Sequence, residues 1–317
     1  MTRVASDFCF AIRETDISYK LGQLIPYPIR VFNLEGLGID RPRFIRELAP
    51  TFSMLEWDQY DVKRGQVAVI ANCFPGEKEK LNRFLVDYYA DKAALQEVGD
   101  LIVKMSLADR WKMERIRPRR KRSIAKFVLN RNLSMGVSRP YWWEVIRVPA
   151  QSFSQNAPSE AGDVRALVRV FDEASDQVLL LMYASNLLKC LSEIVRTIRS
   201  GVKQLTITMH QVSVFAELEH DGDNSPEGIH QDGSDYIVSA LVIEREGILG
   251  GESIVYGPDK KTEYLRHMLM PGQGLFQADK NTPLWHDVTP ILEDPAIPPT
   301  YGKRSILGFD IDVTEES

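Results

Sequence analysis

Residues 204–216 read Gln-Leu-Thr-Ile-Thr-Met-His-Gln-Val-Ser-Val-Phe-Ala, and here the chain changes from a helical to an extended period. On the N-terminal side, Leu187, Leu188, Leu191, Ile194, Val195 and Ile198 line one side of a helix predicted over 184–199, with Gly201 as its stop. On the C-terminal side, short segments rich in β-branched or aromatic residues recur at 236–244, 252–256, 274–278 and 304–311. Clusters of Gly, Pro, Asp and Asn separate them, at 221–226, 247–251, 271–274 and 290–302. Short strands bounded by such turn signals imply a sandwich or barrel. The expectation is an α+β chain: an N-terminal extension over 1–40, a mainly helical supporting region over 41–200, and a jelly-roll, cupin-type core over 201–317.

The supporting region has its own signals. Asp40 is a helix N-cap with Pro42 just inside, and that helix ends before Pro50. After the Phe74-Pro75-Gly76 turn, Leu81, Phe84, Leu85, Tyr88 and Tyr89 mark one face of an amphipathic helix. Residues 151–163 form the clearest loop. The basic run Arg-Ile-Arg-Pro-Arg-Arg-Lys-Arg at 115–122, next to strand-like Ala125–Leu129, reads as a solvated face.

Composition narrows the class. Of 317 residues, 44% are hydrophobic and 26% charged, the balance of a soluble globular protein, and a net charge of −5 argues against a nucleic-acid partner. The three cysteines, Cys9, Cys73 and Cys190, match no metal-ligand spacing and no disulfide framework, which fits a reducing cytoplasm. The longest apolar run, near Val178–Met182, is too short to span a bilayer. All five histidines (His210, His220, His230, His267 and His286) lie in the last third, where metal or proton chemistry is to be sought.

Pro226-Glu-Gly-Ile-His-Gln-Asp-Gly233 places His230 and Asp232 two residues apart, so in extended backbone both point to one face. His286, 54 residues beyond Asp232 and at the head of a strand-like Asp-Val-Thr, can complete two imidazoles and a carboxylate, the facial triad of non-haem Fe(II) oxygenases. Arg304 opens the last strand-like run, where its planar fork can meet a buried carboxylate bidentately. Gln211, Gln231, Glu252 and Tyr256 are candidate substrate contacts; Glu252 either pairs with a substrate amine or holds its own turn. His210 and His220 read as structural or supporting, Trp142 and Trp143 as core, and His267 as a surface residue in a helical connection.

The segment 226–311 resembles the 2-oxoglutarate/Fe(II) oxygenases that include the bacterial free-amino-acid hydroxylases of the L-isoleucine dioxygenase type. The resemblance rests on residues 226–233, on Gly250-Gly-Glu-Ser-Ile-Val-Tyr256 and on His286-Asp-Val-Thr-Pro290 before Arg304. It implies a double-stranded β-helix, iron held by His230, Asp232 and His286, and 2-oxoglutarate held by Arg304. It also implies dioxygen-dependent hydroxylation of an amino acid or similar small molecule, with succinate and carbon dioxide as co-products. Two features depart from the family. Ile306 stands where many relatives carry a hydroxyl residue, with Ser305 expected to face the other way, and the gap from His286 to Arg304 is long. Three alternatives stay open: a carrier-tethered, peptidyl or natural-product substrate, a non-redox cupin-like metal-binding protein, and a nucleic-acid module built on 115–122.

Overall fold

The computed structural model describes residues 27–74, 78–89, 92–93, 95–133, 141–150, 152–154, 168–217, 220–225, 227–297 and 301–315. Most of the 1–40 extension, the Pro75-Gly76 turn, most of the 151–163 loop and Pro226 lie outside these.

Seven α-helices occur among the described residues: α1 (Arg41–Leu48), α2 (Gln59–Cys73), α3 (Lys78–Tyr89), α4 (Leu95–Lys104), α5 (Leu107–Glu114), α6 (Asp176–Ala184) and α7 (Leu187–Ile198). The strands of the N-terminal part are β1 (Ile29–Asn33), β2 (Arg120–Leu133), β3 (Tyr141–Val148), β4 (Ser152–Phe153), β5 (Arg169–Val170) and β6 (Asp172–Glu173). Next come β7 (Val202–Ala216), β8 (Tyr236–Glu246), β9 (Ile248–Gly250), β10 (Ser253–Tyr256) and β11 (Glu263–His267). The chain closes with β12 (Gln273–Ala278), β13 (Trp285–Val288), β14 (Ile291–Glu293) and β15 (Gly302–Glu315).

The architecture is α+β with a large antiparallel sheet. Its strands run β1-β12-β8-β15-β7-β2-β3, with the short β6 parallel to β2. A smaller sheet, β11-β10-β13, contributes Val255 and Leu265 to the same hydrophobic core. The sheet crosses the boundary expected at residue 200. Arg120–Leu133 is one of its longest strands, and the 115–122 run is a solvated face only at its start: Arg115 and Arg117 are exposed, but Arg120 is buried and Arg122 half-buried. Likewise His267 ends a strand, β11, and does not sit in a helix.

Two layers cover the central strands, which is why β7 is buried along most of both faces. Leu205, Ile207 and Met209 of β7, Leu307, Phe309 and Ile311 of β15, and Ala125, Phe127 and Leu129 of β2 join the core shared with α1, α6 and α7. The neighbours at even positions face the other way. Registry pairs Arg120 with Val214 and Val214 with Arg304, Arg122 with Val212 and Val212 with Ile306, Ile124 with His210 and His210 with Gly308. Each such row lies on one face of the sheet, because side chains alternate with period two.

The helices form where their sequences dictate. Asp40 accepts a hydrogen bond from the Arg43 N–H and caps α1. The helix expected over 184–199 is α7, which begins at Leu187; α6 precedes it at an angle of 53°, across a break where Asn186 adopts φ 60°. Asparagine tolerates that left-handed turn better than most residues. No single helix among the described residues is long and apolar enough to cross a membrane. In α7, Leu187, Leu188, Leu191, Ile194 and Val195 are all buried, each contributing about 1.5–3 kcal/mol relative to exposure. Ile70, Leu81, Phe84 and Met105 of α2–α4 and the following turn form a separate, smaller cluster.

Candidate metal centre

His230 and His286 meet as an isolated antiparallel bridge and exchange both backbone hydrogen bonds, each 3.0 Å. Their ring centroids are 4.3 Å apart. Asp232, two residues after His230, reaches both: Oδ1 lies 3.4 Å from His230 Nε2 and Oδ2 3.3 Å from His286 Nε2. One ligand atom from each of the three lies within 4.8 Å of the others.

The surroundings fix these side chains for coordination. His230 Nδ1 sits 2.7 Å from the Gly228 carbonyl, to which it donates, leaving the Nε2 lone pair on the Asp232 side. His286 Nδ1 faces Asp279 Oδ1 at 3.7 Å, and Asp279 Oδ2 accepts from the Gly233 N–H at 2.7 Å. Burial, reinforced by Asp232 and only partly offset by His286, pushes the Asp279 carboxyl up to about 7. Burial works against charge on His230, but Asp232, Glu227 and the Gly228 carbonyl outweigh it and push that pKa up to about 9. Burial would raise the Asp232 carboxyl as well, yet His286 and His230 hold it well below its usual range. Two imidazoles and a carboxylate with this shared charge fit a divalent cation, which would take over the proton's role on binding.

The triad faces a cavity of about 120 Å³ between the two sheets. The inner face of the large sheet supplies Arg122, His210, Ile306 and Asp310, and Asn224 and Glu227 come from the loop before His230. Glu227 is solvent-exposed. His210 is buried; burial and the adjacent Arg122 cation hold its pKa well below the usual value, so the ring is neutral. It accepts from Arg122 Nη2 on Nδ1 at 2.8 Å, so its proton is on Nε2 and is donated to Asp310 at 2.9 Å.

Arg304 lies behind Asn224. It has no exposed surface, and Nη1 donates to Asn224 Oδ1 at 3.0 Å while Nε and Nη2 have no acceptor. Burial and the neighbouring Arg245 push its pKa down to about 9. Gly251, at φ 71°, lets the β9–β10 turn press on this arginine: a Cβ there would meet Arg304 Cδ at 3.1 Å and Arg245 Nη1 at 3.0 Å. As expected, Ser305 turns away, bonded to Ser213 at 2.9 Å and Glu244 at 2.8 Å.

The expected substrate contacts do not line this cavity. Gln211, one residue past His210, faces the helices and bonds Ser123 at 3.1 Å and Thr51 at 2.7 Å. Gln231 donates to the carbonyls of Asp279, Thr282 and Leu284 and so ties the turn before β13. Glu252 pairs with Arg266 at 2.9 Å, and Tyr256 is buried in β10. His220 is exposed, Trp142 is exposed, and Trp143 is buried with its indole donating to Glu193 at 2.6 Å. Residue-by-residue reading missed Arg122, Arg169, Asn224, Asp279 and Asp310. Only strand alternation from His210 and Arg304 could have pointed to any of them.

A search of curated proteins finds no match. Among solved structures, IDO from Bacillus thuringiensis is 19% identical, with 62% of this chain and 75% of that one covered at a TM-score of 0.46. A bsmA homolog from Methylobium petroleophilum is 20% identical, with coverages of 72% and 85% and a TM-score of 0.49. The Fe(II)/(alpha)ketoglutarate-dependent dioxygenase TqaL is 13% identical, with coverages of 80% and 91% and a TM-score of 0.43. The family profile described as 2OG-Fe dioxygenase matches residues 107–310, nearly two thirds of the chain. The chain belongs to the 2OG-Fe dioxygenase family, whose chemistry uses Fe(II), 2-oxoglutarate and dioxygen.

Proposed function

We propose that His230, Asp232 and His286 hold Fe(II), that Arg304 binds the distal carboxylate of 2-oxoglutarate, and that the enzyme hydroxylates an unactivated C–H bond of an amino acid or amino-acid-like small molecule. The two sheets enclosing the cavity are read as a double-stranded β-helix. The observation that carries the proposal is the convergence of the three side chains within 4.8 Å on the wall of a cavity.

The bound iron supplies the redox centre for dioxygen activation, with 2-oxoglutarate as the two-electron donor. The chain's own residues do the positioning. Gly228 and Asp279 orient the two imidazoles, and Arg304 offers unmet N–H donors to a carboxylate entering beside Asn224. Val212, Ile306 and Val288 keep part of the cavity wall apolar, which limits water where the C–H bond must lie. The test is oxygen uptake and succinate formation with Fe(II) and 2-oxoglutarate, followed by mass spectrometry of products from free and N-acylated amino acids. No 2-oxoglutarate-dependent succinate under any condition would refute the assignment. Turnover only with carrier-bound or peptidyl substrates would keep the chemistry and replace the substrate class.

A further inference from the structure

Arg304 does not touch the cavity that the metal triad faces. Its guanidinium has no exposed surface and is not part of the cavity wall. Asn224 does stand on that wall, and among the described residues it is the only hydrogen-bond partner of Arg304. A carboxylate coming from the metal centre therefore reaches Arg304 through the place that the Asn224 side chain holds.

The amide is held in one orientation. Its Oδ1 accepts from Arg304 Nη1 at 3.0 Å, and its Nδ2 donates to the Thr289 carbonyl at 3.2 Å. A guanidinium only donates and a carbonyl only accepts, so a flipped amide would set donor against donor and acceptor against acceptor. Thr289 is itself fixed: its N–H donates to the Glu252 carbonyl at 3.0 Å, and its Oγ1 accepts from the Glu252 N–H at 2.9 Å. The loop backbone beneath Asn224 is pinned as well. Gly222 exchanges two hydrogen bonds of 2.9 Å with Ile291, and a Cβ on Gly222 would lie 2.6 Å from the Phe215 carbonyl oxygen. Room at Arg304 is made by turning the Asn224 side chain into the cavity, with the backbone left in place.

A carboxylate competes with this amide for one nitrogen. Meeting the guanidinium end-on, it takes Nη1 and Nη2 together; Nη2 has no acceptor, and Nη1 has only the amide oxygen. Two acceptor oxygens crowded on Nη1 repel each other. Away from bulk water the charged one prevails, since a cation attracts an anion more strongly than a neutral amide. We propose that Asn224 is a positioning residue of the co-substrate pocket: its amide oxygen holds the end of Arg304 in readiness, and the distal carboxylate of 2-oxoglutarate displaces it on binding. This rests on the assignment of Arg304 to 2-oxoglutarate and deepens it. The exchange lowers affinity for the co-substrate, because a hydrogen bond must break before the new ones form, and it keeps the buried cation partnered until then.

The test is calorimetric titration of 2-oxoglutarate into the zinc-loaded protein, which requires no turnover. Asn224→Ala removes the competitor and should bind 2-oxoglutarate about tenfold more tightly than wild type, the scale of one hydrogen bond to a charged group. Asn224→Asp sets a charged competitor on Arg304 and should bind it at least about tenfold more weakly. The two variants move affinity in opposite directions, so the proposal stays open to refutation if either fails to fold. An unchanged Kd in Asn224→Ala, with only the melting temperature lowered, would make Asn224 merely structural and overturn the proposal. Weaker binding in Asn224→Ala would make it a lasting ligand of the carboxylate, and binding as tight as wild type in Asn224→Asp would show that the amide is never displaced. Each of these overturns the proposal as well. Arg304→Met separates the two readings. If wild type binds no 2-oxoglutarate, or Arg304→Met binds it as wild type does, Arg304 is not the co-substrate clamp, and the proposal falls with that assignment.

Discussion

Replacing Arg304 by methionine should leave the protein at least as stable while removing its response to 2-oxoglutarate. An arginine kept for structure pairs with an acid; this one is fully buried, has one neutral partner, and leaves two nitrogens without acceptors. Its fall from 12.5 to about 9 corresponds to a charging penalty on the order of 5 kcal/mol at neutral pH. The sign follows: below pH 9 the folded state carries a cation that the unfolded state holds more comfortably. Methionine fills similar space without that penalty, and comparable exchanges of buried ions for apolar groups have been neutral or stabilising by about 1–4 kcal/mol. Binding should suffer in the opposite sense, since losing one partner of a buried charge pair costs about 2–5 kcal/mol, or roughly 30- to several-thousand-fold in Kd. Thermal unfolding of the zinc-loaded protein, with and without 2-oxoglutarate, measures both quantities at once. Wild type should gain about 2.7 kcal/mol at one hundred times its Kd, and the variant at most about 0.9 kcal/mol at the same concentration. A variant that unfolds several degrees earlier yet keeps the ligand-induced shift would show that Arg304 is structural.

Other residues give equally definite expectations. His286→Ala and His230→Ala should each remove stoichiometric divalent-metal binding and abolish succinate formation while the far-ultraviolet circular dichroism stays native; either variant retaining activity would exclude it as a ligand. Asp58→Ala should destabilise the protein by about 3–5 kcal/mol in urea unfolding, because it strands the buried Arg120 cation and uncaps α2. Burial opposes the Asp58 carboxylate, but Arg120 and Arg122 hold its pKa below 3.8; this contribution is therefore complete at neutral pH and lost only as pH falls through the depressed value. Leu191→Ala, in the fully buried face of α7, should cost about 2–5 kcal/mol and leave the Kd for 2-oxoglutarate unchanged in the folded protein.

What the sequence displays depends on what each burial costs. The strands after residue 204 are legible because Gly, Pro and Asp clusters punctuate them, and the helix faces of α3 and α7 because apolar residues recur at 3.6-residue spacing. Arg120–Leu133 is not legible from its start, where Arg-Lys-Arg reads as a solvated surface. Taking guanidinium groups out of water is unfavourable unless something compensates for it, so the ordinary inference is exposure. That inference fails here because Asp58 and the aromatic rings supply the compensation. The start of α7 is blurred for another reason: Asn186 fits a helical sequence and a left-handed turn alike, so the helix expected from 184 begins only at Leu187.

The same alternation explains which site residues could be read. His230 and Asp232 are legible as a pair because a spacing of two puts them on one face wherever the backbone between them is extended. Gln211 and His210 are adjacent polar residues on one strand, and nothing local says which points at the metal; a slip of one residue exchanges their faces. The two-sided burial of β7 removes the polar and apolar alternation that would otherwise announce a face. Once Arg304 is placed inward, however, registry determines the rest. Val214 and Arg120 must share its row, Val212 and Arg122 the row beside Ile306, and His210 the row beside Gly308. The absent hydroxyl at Ile306 then has a structural consequence. Arg304 lacks a hydroxyl partner at that position and relies on Asn224, from a different loop, for its only hydrogen bond among the described residues. A carboxylate arriving at Arg304 therefore meets donors that the protein has left unspent.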